Sequence, residues 1–107
     1  MIQWPCIIKL EGDDELMYIG SNQNLQDECE GLIFSDLDVL IDSVGQGFTI
    51  REVDNKGIVT EKNNQSLSVS EVTSLIQAHE FSKAEMCLTK IHFLSISEAI
   101  QSLTFTD

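Results

Sequence analysis

Basic residues are scarce in this chain. Six Lys and Arg stand against eighteen Asp and Glu, a formal net charge of −12, and no two of the six are adjacent. Without a basic patch there is no electrostatic footprint for nucleic acid, and an anionic membrane surface would repel the molecule. Cysteine is also sparse. Cys6, Cys29 and Cys87 are widely spaced and odd in number, and no Cys-x-x-Cys pair occurs. That argues against a disulfide framework and for reduced thiols in a cytosol. Zinc would need paired Cys or His ligands, and with only His79 and His92 the spacing is absent. No apolar run reaches the length of a membrane span, and the start of the chain has neither the basic nor the apolar region of a secretory signal.

Catalytic and cofactor motifs are missing in the same way. Gly-x-Ser-x-Gly does not occur. Gly45-Gln46-Gly47 has no Lys and feeds an apolar strand-like run instead of a helix, so it is a hairpin turn and not a phosphate cradle. Leu40-Ile41-Asp42-Ser43 resembles the strand end of an aspartic protease, but Val44 separates it from the glycine that would aim the carboxylate. Asp36, Asp38 and Asp42 are oxygen ligands without the glycine and glutamate of a calcium loop. No cofactor and no metal is expected.

What the chain does have is enough apolar residues for a core, 42% of its 107 residues, so residues 1–107 read as one folded domain. Ile2, Trp4, Cys6, Ile8 and Leu10 alternate, and Pro5 places that strand at its start or at a sheet edge. Glu11-Gly12-Asp13-Asp14 turns the chain into a return strand, Leu16–Ile19. Residues 21–31 are polar and acidic and predict a loop with at most one helical turn. Val39–Ile41, Phe48–Arg51 and Ile58–Thr60 predict an antiparallel meander through glycine-containing turns. The period then changes. Val69, Val72, Leu75, Ile76 and His79 form one helical stripe, with Ser68 and Glu71 spaced as a capping box. Ile96, Ala99, Ile100 and Leu103 form a second stripe behind Ser95 and Glu98. Residues 85–93 fit a strand or a helix, with the strand favoured by the tail Ile91-His92-Phe93. The expected fold is α+β: an antiparallel sheet of about five strands, hairpin plus meander, with two short C-terminal helices on one face.

Asp38-Val39-Leu40-Ile41-Asp42-Ser43-Val44-Gly45, Ala78-His79, Cys87-Leu88-Thr89-Lys90 and Ser97-Glu98-Ala99-Ile100 together resemble a small uncharacterised bacterial family of about this length. The resemblance implies a complete bacterial cytosolic protein and carries no activity and no functional residue.

Charge is the strongest functional signal. Residues 1–54 hold twelve acids and two bases, a balance of −10, whereas residues 55–107 hold six and four, a balance of −2. A non-enzymatic module is expected, with Asp13, Asp14, Glu15, Asp36, Asp38 and Asp42 facing a basic surface on a protein partner. Such a molecule would be cytoplasmic, a monomer or small homo-oligomer, with no direct contact to nucleic acid or membrane. One alternative is a nucleic-acid mimic that inhibits a basic DNA- or RNA-binding protein, which requires a stripe of carboxylates across exposed strands. Another is a small enzyme or ligand binder with a pocket around His79, joined by Cys87 and His92.

Overall fold

The computed structural model describes residues 2–53, 57–82 and 93–105. Among the described residues five strands form one antiparallel sheet in the order β2-β1-β3-β4-β5. They are β1 (Cys6–Lys9), β2 (Leu16–Ile19), β3 (Val39–Ile41), β4 (Gln46–Val53) and β5 (Gly57–Ser66). Among the described residues three helices accompany them: α1 (Asn22–Cys29), α2 (Val69–Ser82) and α3 (Ile96–Gln101), the last followed by a 3₁₀ turn at Ser102–Phe105. This is the hairpin-plus-meander α+β architecture the sequence predicts. Of residues 85–93, where a strand is favoured over a helix, 85–92 lie outside the described residues.

The sheet is buried on both faces. On one, Ile7, Val39 and Ile41 pack with Val72 and Ile76 of α2 and Ile96, Ala99 and Ile100 of α3. The two predicted stripes thus cover the expected face. On the other, Cys6, Ile8, Leu40, Phe48 and Ile50 pack with Leu25 and Cys29 of α1. Alternation in a strand sends neighbours to opposite faces, so the run Cys6-Ile7-Ile8 feeds both cores.

Two expectations need correction. Residues 21–31 contain a two-turn helix. Ser21 caps it by accepting from the Asn24 N–H at 3.1 Å, and Leu25 and Cys29, one turn apart, point into the core. The expected strand over residues 2–10 is shorter: of the two alternatives for Pro5 the start holds, since β1 begins at Cys6 directly after the proline and lies inside the sheet between β2 and β3.

Local devices hold the elements in place. Ser68 and Glu71 make both bonds of the capping box, at 2.9 and 3.1 Å. Ser95 accepts from the Glu98 N–H at 3.1 Å. Gly45 turns β3 into β4 with φ +87°, and a side chain there would collide with the Leu67 carbonyl.

Candidate interaction surface

The register of the sheet decides where the acids go. Lys9 pairs with both Leu16 and Val39, and Val39 pairs with Thr49. The turn before Leu16, the loop before Val39 and the stretch of β4 beyond Thr49 therefore leave the sheet at one end. α1 starts at the opposite end and returns to this one. There, in the final turn, the Gln26 side-chain amide clasps the backbone of Ile58, donating to its carbonyl and accepting from its N–H, both at 2.8 Å. One end of the sheet thus collects the 10–15 turn, the last turn of α1, the 32–38 loop and the distal β4–β5 hairpin. With them come Glu11, Asp13, Asp14, Glu15, Asp27, Glu28, Glu30, Asp36 and Glu52, all exposed.

Asp13, Asp14, Glu15 and Asp36 occupy that surface, but Asp38 and Asp42 do not. Asp38 is 7% exposed. Its carboxylate accepts from the Glu11 N–H at 2.7 Å and the Ser35 N–H at 2.8 Å, tying two loops together. Asp42 is 1% exposed and sits at the opposite end. It accepts from the N–H groups of Gln3, Val44 and Gln46 at 3.2, 3.0 and 3.0 Å. Both carboxylates are buried and hold backbone N–H donors, which gives them a structural task. Asp13 has a local bond as well, accepting from the Glu15 N–H at 2.9 Å. The exposed acids are spread over turns, loops, the end of α1 and single positions of β4 and β5, and form no row of carboxylates along a strand.

Apolar side chains share the acidic end, and composition gave no hint of this. Ile33 is 97% exposed and Leu37 68%. Two open clefts of about 380 Å³ each lie there. One runs between Gln26, Asp27 and Glu30 of the α1 end and Glu52, Val53 and Ile58 of the hairpin. The other runs between Leu32, Ile33, Phe34 and Asp36 of the loop and Ile50 and Glu52 of β4. Glu52 belongs to both walls. Arg51 lines the second cleft too. Asp27, Glu30, Asp36 and Glu52 against this one guanidinium leave a local balance of −3.

His79 is 5% exposed. Its Nδ1 accepts from the Leu16 N–H at 2.8 Å, anchoring α2 to β2. An accepting Nδ1 places the ring proton on Nε2. His79 lines neither of the two clefts, and Cys87 and His92, its expected companions, lie outside the described residues. Burial pushes the Cys6 thiol up to about 12, helped by the charge of Asp42, and the Cys29 thiol up to about 11, helped by Glu28. Neither is an activated nucleophile. Among the described residues no group of three or more His, Cys, Asp or Glu side chains is placed to hold a metal. No helix among them is long and apolar enough to cross a membrane.

No curated protein matches the sequence. A solved structure does share the fold: a protein from Shewanella amazonensis, determined by NMR, superposes with a TM-score of 0.72 at 24% identity. That match covers 100% of this chain and 91% of the other. The model of the DUF4144 family, described as a protein structure with unknown function, matches residues 4–103. The chain belongs to the DUF4144 family.

Proposed function

We propose that this protein is a non-enzymatic interaction module that binds a basic surface of a protein partner through the acidic end of its sheet. The carrying observation is the pairing of the near fully exposed Ile33, and of Leu37, with a rim of carboxylates at Asp27, Glu30, Asp36 and Glu52. An apolar centre inside a charged rim is the anatomy of a protein interface, whereas a purely solubilising surface needs no apolar centre. Long-range attraction from a net charge of −12 would speed the encounter, and the apolar centre would slow release. Scatter of the exposed acids over turns, a helix end and single strand positions supports a protein partner over mimicry of a phosphate row. The buried, protonated thiols of Cys6 and Cys29 fit a reducing, cytoplasmic setting.

The test is capture on immobilised protein at about 50 mM and about 500 mM salt, a range over which surface electrostatics are largely screened. A variant carrying Asp13→Asn, Asp14→Asn, Asp36→Asn and Glu52→Gln serves as the control. A partner with a basic surface should be retained by the native protein at low salt. It should be lost at high salt and lost on the variant. Equal capture by native protein and variant would refute the assignment.

A further inference from the structure

The two clefts at the acidic end have different linings, and that difference specifies the occupant. The cleft between Asp27, Glu30 and Glu52 is mainly carboxylate, closed on one side by Val53 and Ile58. The cleft beside it is mixed: Leu32, Ile33, Phe34 and Ile50 supply apolar walls, and Asp36, Arg51 and Glu52 stand at its margin. Phe34 and Ile50 belong to the core under α1, so the floor of this cleft is fixed, while Leu32 and Ile33 stand at its rim. Glu52 lines both clefts, so the two adjoin at this side chain.

Resting on the assignment above, we infer that the occupant is a basic amphipathic segment of the partner protein. One apolar side chain fills the cleft between the 32–34 loop and β4, and Lys or Arg side chains on the same segment pair with Asp36, Glu52, Asp27 and Glu30. Charge complementarity favours this occupant. A second copy of this chain would bring a like charge of −12 against the same rim. An acidic or neutral peptide would leave the rim carboxylates uncompensated. Polylysine without apolar side chains would satisfy the rim and leave the cleft unfilled.

The experiment uses the full chain, labelled with ¹⁵N, and two synthetic peptides of equal length and charge. One places Lys and Leu at helical spacing; the other has Ser at every Leu. The Lys/Leu peptide should bind more tightly than the Lys/Ser peptide and shift the amides of residues 32–36 and 50–53. Ile33→Ser, at a site already exposed, should weaken the Lys/Leu peptide roughly tenfold and leave the Lys/Ser peptide unchanged. Asp36→Asn with Glu52→Gln should weaken both. Equal affinity for the two peptides and indifference to Ile33→Ser, with both still weakened by the charge variant, would overturn the cleft and leave the acidic-end assignment standing. Binding that responds to neither variant nor salt would overturn both. Concentration-dependent shifts of the same amides without peptide would assign the cleft to a second copy and overturn the inference.

Discussion

Asp42 shows how one buried carboxylate can organise a chain end. Its three accepted bonds join Gln3, near the start of the chain, to the turn between β3 and β4. Ser43 adds two more ties, donating through its hydroxyl to the Pro5 carbonyl at 2.6 Å and through its N–H to Gln3 at 2.9 Å. Asp42→Ala strands those donors and should cost about 3 kcal/mol in urea unfolding, since each buried unsatisfied donor costs about 1–3 kcal/mol. Asp13→Asn and Asp14→Asn, on the exposed turn, should stay within about 0.5 kcal/mol. The roles of Asp38 and Asp42 were not legible in the sequence. An Asp reads the same in an open turn or under a folded-back segment, and the donors that decide the matter, Gln3 and Glu11, lie 39 and 27 residues away. The thiols of Cys6 and Cys29 make a second residue-scale prediction. Both are raised from 9.0, Cys6 to about 12 and Cys29 to about 11. The unfolded chain would lose these protons near pH 9 while the folded chain keeps them. Stability is therefore unaffected below pH 9 and falls as pH rises towards 11–12. In a Cys87→Ser variant, thiolate absorbance in an alkaline titration should appear near pH 9 in denaturant and about two units or more later in the folded protein.

At the scale of elements, legibility followed the strength of the periodic signal. α2 and α3 each carry a full apolar stripe behind a capping serine, and both form as the sequence predicts. α1 offers only Leu25 and Cys29 among amides and acids, too thin a stripe to stand out. Its helix is supported from outside, by the core under the sheet and by the Gln26 clasp on Ile58, and neither is written locally. The β3–β4 turn is the opposite case, because its glycine was visible and its conformation follows. Gly45→Ala forces a side chain into positive φ and against the Leu67 carbonyl, whose own N–H donates to Gly45 at 2.8 Å. The variant should lose about 3 kcal/mol or more, the combined cost of backbone strain and displaced packing. Ser68→Ala removes one capping bond and should lose only about 1 kcal/mol. Thermal or urea denaturation of the pair would rank them, and a milder effect at Gly45 than at Ser68 would contradict this account of the turn.

The whole molecule adds a consequence that no single residue carries. Among the described residues, the sheet registers gather nine exposed carboxylates from sequence-distant segments at one end, against Lys9 and Arg51 nearby. Sequence showed the excess in the first half of the chain; only topology shows that separate clusters become one surface. Like charges held together repel, so part of the fold's stability is given up to keep that end acidic. Salt separates this cost from ordinary packing. Screening shortens to about 8 Å at physiological ionic strength and to about 3 Å at 1 M, so repulsion across the acidic end should fade over that range. The thermal midpoint should therefore rise from low salt to about 0.5 M sodium chloride, a salt without strong exclusion effects of its own. In the variant with Asp13→Asn, Asp14→Asn, Asp36→Asn and Glu52→Gln the midpoint should start higher and rise less. Partner binding should move the other way, weakening with salt in the native protein and remaining weak throughout in the variant. Opposite salt responses of stability and association, both diminished by the same four substitutions, are what a surface kept acidic for binding requires. A midpoint indifferent to salt would mean that the carboxylates do not strain the fold, and would remove the trade between stability and association from this account.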